Sequence, residues 1–361
     1  MAIHTFTLAT PPMKRREYKR VRDQMFSLIM TNPTLCARRT DTTLCVKIPT
    51  YRGILANLTF FTLPRLELFI NPSLLLGGNH ADIYSFSEGT ISQIEEITNE
   101  TLSLLSVSTR FHELVLSRID CTKDVTLDHS DDVVGLIRCI QRTELNHGYE
   151  HIRFDKSSAN YRERNQHSFR ARCRDVTLTI YDKTFQLNEQ MLMPSEEVPQ
   201  NRLRIEAAFG NGSFQRILNE HCQATIFNDL GHRIEYFSNL SIELIQRQFK
   251  TTITPGRYLR IDRAVEEIEL SPFLVSTKQK MIDFIYLVSR CNRYGIAGAI
   301  VAMQKRGLTE RQTNYLMGCF REINLNPATL PLKSPCAELP SVSELIGQVP
   351  PAQDHALAAY H

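Results

Sequence analysis

No Gly-x-x-x-x-Gly-Lys-Ser/Thr loop occurs in the 361-residue sequence, so nothing supports intrinsic use of ATP, and no Gly-x-Ser-x-Gly elbow offers a serine nucleophile. No two of the nine cysteines form a Cys-x-x-Cys pair, and their odd number argues against a complete disulfide framework. A basic-then-apolar N-terminal segment is missing as well, so reduced thiols in a cytoplasm are expected. Apolar runs are short. The longest, around Ile296 to Met303, falls well below the ~20 residues needed to span a bilayer, and no membrane partner is expected.

Excess charge is small, at +3, which permits nucleic-acid binding without arguing for it. Its distribution is more informative. From Arg153 to Arg174 the chain carries Arg153, Lys156, Arg162, Arg164, Arg170, Arg172 and Arg174 against only Asp155 and Glu163. Phe154, Tyr161 and Phe169 are interleaved with these cations, a combination suited to tracking a single-stranded DNA backbone while stacking bases. A solvated basic loop is the plainer reading of the same stretch.

Hydrophobic content of 42% and this length allow two packed domains, or one enlarged domain with a helical extension. The first half reads as strands with few helices: Ile3 to Leu8, Leu44 to Ile48, Leu55 to Thr62 and Leu66 to Ile70 are rich in β-branched and aromatic residues. Helical spacing marks Ser92 to Leu105, and Ser130 with Asp131 and Asp132 resembles the start of a helix to about Arg142. Arg153 to Asp175 is expected to be an irregular loop or long hairpin. After Pro255 helices are expected at Lys278 to Arg290, Ile296 to Lys305 and Glu310 to Glu322, the last opening on a capping box. Residues 328–361, rich in Pro, Ser and Ala, read as a loose tail.

Three strands carry apolar residues on one parity and ionisable residues on the other, as when one sheet face packs a core and the other meets solvent or substrate. In Ser117 to Asp124, Asp120, Thr122 and Asp124 oppose Ile119 and Cys121. In Val176 to Lys183, Tyr181 and Lys183 share a face opposite Leu178 and Ile180. In Arg202 to Phe209, Arg204 and Glu206 oppose Leu203 and Ile205. With the polar faces aligned, carboxylates, a tyrosine and a lysine converge. A phenol becomes a useful nucleophile when its proton is removed, and a phosphodiester accepts it when its charge is offset by a lysine or by a divalent cation on carboxylates. Hard oxygen ligands favour Mg²⁺ or Mn²⁺. The alternative is an ordinary solvated sheet face, with Asp120 and Glu206 in ion pairs. His147-Gly148-Tyr149-Glu150-His151 spaces two histidines like metal ligands, yet Gly148 disfavours the helix this needs, and a surface turn is expected.

The runs Leu116-Ser117-Arg118-Ile119-Asp120, Arg174 to Lys183 and Arg202-Leu203-Arg204-Ile205-Glu206-Ala207, with Leu66 to Ser73 upstream, occur in the order of the gene II-type initiators of filamentous phages and related plasmids. The chain resembles that family. The resemblance implies rolling-circle replication, with Tyr181 as nucleophile, Lys183 as its helper, and Asp120 and Glu206 as metal- or phosphate-handling carboxylates. Asp124 joins them from its place on the same strand face. A related plasmid-initiator group places its tyrosine upstream, where this chain has Ser168-Phe169-Arg170-Ala171, so Tyr161 stays open as the second choice. The His-hydrophobe-His motif of many such initiators is absent.

These readings give an α+β protein: a mostly antiparallel sheet with flanking helices, relaxase-like or initiator-like, and a helical C-terminal region. Residues 1–254 would form the nicking region and 255–327 a helical region that helps recognise an origin. DNA contacts are expected from Arg162, Arg164, Arg170, Arg172, Arg174 and Arg204, and a metal ion at Asp120, Asp124 and Glu206. The implied partners are double- and single-stranded origin DNA, a host helicase and a host DNA polymerase in a bacterial cytoplasm. Two other readings remain: a non-enzymatic origin-binding regulator, and a carboxylate-metal endonuclease without a covalent intermediate.

Overall fold

The computed structural model describes residues 3–32, 37–48, 51–60, 63–84, 86, 89–145, 148–157, 160–220, 229–290 and 295–347. Along the chain come β1 (Ile3–Ala9), α1 (Arg15–Thr31), β2 (Ala37–Arg39), β3 (Thr43–Lys47), β4 (Ile54–Thr59), β5 (Leu66–Ile70), α2 (Pro72–Leu75) and α3 (Thr90–Leu104). The middle holds β6 (Val115–Thr126), α4 (Ser130–Gln141), β7 (Glu150–His151), α5 (Tyr161–Gln166), β8 (Ser168–Arg172), β9 (Val176–Asp182), α6 (Lys183–Glu189), β10 (Arg202–Gly210) and α7 (Asn211–Glu220). The rest is α8 (Leu230–Thr252), β11 (Tyr258–Leu259), α9 (Ile261–Leu270), α10 (Val275–Arg290), α11 (Gly295–Lys305), α12 (Glu310–Glu322), β12 (Glu338–Leu339) and α13 (Val342–Gly347).

The fold is α+β. Among the described residues ten strands make one antiparallel sheet in the order β2-β3-β4-β5-β1-β6-β10-β9-β8-β7, the last only two residues long. The period-2 alternation read from the sequence is realised in its central strands. Ile119 and Cys121 of β6, Leu203, Ile205 and Ala207 of β10, and Leu178 and Ile180 of β9 all turn into the core. Helix α8 lies against β6 and β10 on that side, burying Ile234, Phe237, Ile245 and Phe249, and α4 packs on β8 and β9. With one face covered, the polar parity of the same strands is left for the site.

Several expectations need correction. Arg15–Thr31, between the expected strands and itself assigned no element, is a helix of 17 residues; only Val21 and Met25 are buried within its mostly charged sequence, so its apolar stripe is narrow. The helical C-terminal region begins at α8, ahead of Pro255. Of the two readings of Arg153 to Asp175, the hairpin is met, β8 pairing antiparallel with β9, while the short helix α5 within the stretch was not expected. Residues 328–347 are not loose. Leu330 donates its N–H to Leu259 O at 2.9 Å, Tyr258 pairs with Leu339, and Val342, Leu345 and Ile346 of α13 are buried beside α8. A few apolar anchors suffice there, and composition averaged over the segment hides them. Residues 348–361 lie outside the described residues, as does His147, while Glu150 and His151 form β7 rather than a turn. No helix among the described residues is long and apolar enough to cross a membrane.

Candidate active site

The register of three antiparallel pairs gathers the polar parity onto one patch. Across β10 and β9, Arg204 faces Tyr181 and Glu206 faces Thr179. Across β10 and β6, Arg204 faces Asp124 and Ala208 faces Asp120. Across β8 and β9, Ser168 faces Tyr181 and Arg170 faces Thr179. Between β1 and β6, Ile3 pairs with Cys121 and Thr5 with Asp120, so His4 is an extra residue on β1, a β-bulge. The bulge carries the imidazole to the polar face, where Nδ1 lies 3.0 Å from Oε1 of Glu206.

Tyr181 reaches the same oxygen. Its hydroxyl donates to Glu206 Oε1 at 2.9 Å, and the side chain is 9% exposed at the floor of a cavity of about 580 Å³. Burial raises the phenol pKa well above its ordinary value, and the Glu206 charge adds to that, while Arg204 opposes both. Burial would also raise Glu206, but the His4 and Arg204 charges and the Tyr181 hydrogen bond outweigh it and hold the carboxylate at about 2. In the free protein the shared proton therefore rests on tyrosine.

Lys183 does not continue β9. Asp182 accepts Phe185 N–H at 2.9 Å as an N-cap, so the chain turns into α6 and Lys183 becomes its first residue. Its ammonium is buried, donates to Gln186 Oε1 at 2.8 Å and lies 5.9 Å from the Tyr181 ring centre. Burial, with the neighbouring Arg204 charge, lowers its pKa to about 7.

The carboxylates have separate fates. Asp124 takes Arg204 in a two-pronged pair, Nε to Oδ1 at 2.7 Å and Nη2 to Oδ2 at 2.8 Å, with Arg202 Nη1 at 3.5 Å. Arg204 is fully buried and also donates to Ala81 O at 2.7 Å, so it is a structural cation and cannot touch DNA as expected. Asp120 accepts from Arg118 Nε at 2.7 Å and from Thr5 Oγ1. Among the described residues no three His, Cys, Asp or Glu side chains converge to hold a metal ion, so the expected trio is not a cage. Two of its members, Asp120 and Glu206, do line the cavity, and Mg²⁺ is commonly held by one or two carboxylates with substrate phosphate and water. Asp124 is not among the cavity's lining residues.

Arg118, Arg164, Arg170 and Arg172 line the cavity together with Asp120, Asp182, Glu189 and Glu206; Arg118 pairs with Asp120 and Arg164 with Glu189, each at 2.7 Å. Arg164 and Arg170 lie over the Phe154 ring, at 5.7 and 5.6 Å. Arg162 and Arg174 are exposed but do not line the cavity. Neither does Tyr161, whose hydroxyl accepts from the exposed Arg162 Nε at 3.0 Å on α5. Of the two candidate tyrosines, Tyr181 alone stands in the cavity beside a carboxylate.

Sequence reasoning missed His4, His167 and Asp182. His167 Nδ1 lies 2.9 Å from Asp182 Oδ2, and its ring stacks on Phe185 at 4.0 Å and 11° in the cavity wall. Pairing Ser168 with Tyr181 in the hairpin would have placed His167 opposite Asp182, but no turn signal fixed that register. No family model matches the chain, and no curated protein does.

Proposed function

We propose that this chain is a DNA-strand transferase that nicks and closes one strand at a double-stranded origin, initiating rolling-circle replication in the manner of the gene II-type initiators. The observation that carries the reading is the Tyr181 phenol held on Glu206 at the floor of an arginine-rimmed cavity. A phenol aimed by a hydrogen bond, beside cations that offset phosphate charge, is suited to attack a phosphodiester.

In the nicking step the Tyr181 oxygen bonds to phosphorus as the bond from phosphorus to the 3′ oxygen breaks. The phenol proton passes to Glu206. The negative charge of the arriving phosphate opposes the low carboxylate pKa set by His4 and Arg204, which makes Glu206 a better acceptor with DNA bound. His167, oriented by Asp182, supplies a proton to the departing 3′ oxygen. The products are a 5′-phosphotyrosyl link and a free 3′-OH. Closing is the same step reversed, and no nucleotide is consumed because the link keeps the phosphodiester bond energy. Arg118, Arg170 and Arg172 meet the phosphates, while the Arg164 and Arg170 guanidinium groups held over the Phe154 ring offer a base a planar stacking surface. Where Mg²⁺ or Mn²⁺ is bound, Asp120 would hold it with substrate phosphate and water, and its charge would offset that of the phosphate. The 3′-OH would serve a host polymerase, and a host helicase would unwind the duplex in the bacterial cytoplasm.

The test is to incubate the protein with Mg²⁺ and supercoiled DNA of the replicon that encodes it, then look for a 5′ end that migrates with protein. A covalent adduct lost in Tyr181→Phe and kept in Tyr161→Phe supports the reading. Nicking that survives Tyr181→Phe sinks it in favour of a metal nuclease, and no nicking by the wild type favours a binding protein.

A further inference from the structure

We infer that α11, the turn Arg306-Gly307-Leu308-Thr309 and α12 form a helix-turn-helix unit, and that α12 reads the major groove of duplex DNA. This rests on the origin-nicking reading only for the identity of the DNA; its residues are remote in sequence from the cavity and take no part in the chemistry above.

The turn is fixed at both ends. Gly307, at φ 99°, sits in the left-handed region after α11, with its N–H on Gln304 O at 3.0 Å and Leu308 N–H on Met303 O at 3.2 Å. This is the Schellman pattern that ends a helix abruptly. Thr309 and Gln312 then form the capping box that starts α12 at once. Behind the turn a three-helix core holds the two helices in place: Met303 of α11, Leu316 and Phe320 of α12, and Phe284 of α10, whose ring lies 5.7 Å from that of Phe320. Two helices joined by a short Gly-containing turn on a supporting third helix is the arrangement that projects a second helix into a groove.

The outer face of α12 is largely exposed and carries base-reading chemistry, with Tyr315 at its edge engaged by Cys319 and by Thr277 of α10. Arg311, Asn314, Tyr315 and Gly318 follow the i, i+3, i+4, i+7 spacing of one helix face, opposite the buried Thr313, Leu316 and Phe320. Tyr315 is 61% exposed. Arginine and asparagine are the side chains that pair in two-pronged fashion with guanine and adenine edges. Exposed Lys305 and Arg306 at the turn stand where the sugar-phosphate backbone flanks a helix inserted in the groove.

Gly318 is the second, independent observation. A glycine inside a helix is less favourable than alanine by about 0.5–1 kcal/mol, and among the described residues nothing accounts for it: a Cβ at this position would meet nothing within 4 Å. A bare backbone on the outward face of a helix suits close approach by something from outside. Excess positive charge on the turn and the guanidinium and amide groups beside it select a polyanion with hydrogen-bonding edges, which duplex DNA is, over an apolar protein partner.

The experiment uses the full chain to select from a pool of duplexes with a random core of about 20 base pairs, long enough for two turns of groove. The wild type is expected to enrich a motif. Arg311→Ala and Asn314→Ala should each lose preference at one or two positions of that motif and weaken binding to the enriched duplex about 5- to 100-fold. Gly318→Ala should raise the melting temperature yet weaken the same binding, a pairing of effects that misfolding cannot produce. Tyr181→Phe should enrich the wild-type motif unchanged, so a failure of the nicking chemistry leaves this result standing. Absence of any enriched motif, or a motif and affinity untouched by the three α12 substitutions, overturns the assignment.

Discussion

The hydroxyl of Tyr181 and Oε1 of Glu206 lie 2.9 Å apart on neighbouring strands whose backbones place Tyr181 opposite Arg204 rather than opposite Glu206. The contact is therefore diagonal, made by a long aromatic side chain leaning along the sheet toward a carboxylate that His4 also holds. A general base in this position is worth about 10²–10⁴-fold in rate. Glu206→Gln keeps the shape and a hydrogen-bond acceptor but removes the base, so single-turnover nicking should slow within that range while duplex affinity, measured by fluorescence anisotropy, stays near wild type. An unchanged rate would mean that the phenol proton leaves by another route.

Lys183 links the site to stability. Its pKa of about 7 in the folded chain is below the ordinary 10.5, so between these values the unfolded chain binds more protons than the folded one. Stability from this group therefore rises as pH climbs from about 7 to 10.5, and the buried charge is a full burden below 7. Lys183→Met should be more stable than wild type near pH 6.5, with the difference shrinking by pH 9.5. Urea unfolding at several pH values measures it; a lysine variant that is equally destabilised at every pH would contradict the buried-cation account.

The carboxylates on β6 should separate cleanly. Asp124 is half of a pair with the fully buried Arg204, and removing one partner of such a pair is destabilising by about 3–5 kcal/mol. Asp124→Asn should lower the unfolding midpoint without altering how nicking depends on Mg²⁺ concentration. Asp120→Asn should do the reverse, with a modest stability change and a raised Mg²⁺ requirement. EDTA should suppress nicking by the wild type and Mg²⁺ or Mn²⁺ restore it. A Mg²⁺ dependence shifted by the Asp124 substitution and untouched at Asp120 would reverse the assignment.

The divided legibility of the site follows from what fixes each residue. Tyr181, Asp120 and Glu206 were readable because alternation assigns a residue to a face wherever one side of a strand is apolar, and Leu178, Ile119 and Ile205 supply that side. Asp124 shares the face too, but alternation says nothing about which cation a carboxylate meets, and Arg204 claims it across the register. Lys183 was placed one residue too far along β9, since an aspartate N-cap ends the strand before it. His4 enters through a bulge, which breaks the alternation on which the reading depends. The α12 capping box was legible because it is local, spanning Thr309 to Gln312, whereas the packing of residues 328–347 depends on partners such as Leu259 and α8 far away in sequence.

His167 and Asp182 give a last test that separates folding from chemistry. Asp182 has two duties: Oδ1 caps α6 through Phe185 N–H, and Oδ2 holds His167 Nδ1. Asparagine is as good an N-cap as aspartate, whereas alanine loses about 0.5–2 kcal/mol. Asp182→Asn should therefore fold with nearly wild-type stability, but its amide can present a donor to Nδ1 and so favour the wrong imidazole tautomer. With His167 as the proton donor to the departing 3′ oxygen, Asp182→Asn and His167→Gln should slow nicking to a similar extent, about 10²-fold or more, and the double variant should be little slower than either. Asp182→Ala should add a loss of thermal stability that Asp182→Asn lacks. Single-turnover rates alongside melting curves for the four variants decide it: additive losses in the double variant, or an Asp182→Asn rate equal to wild type, would reduce the pair to a helix cap with a stacked ring.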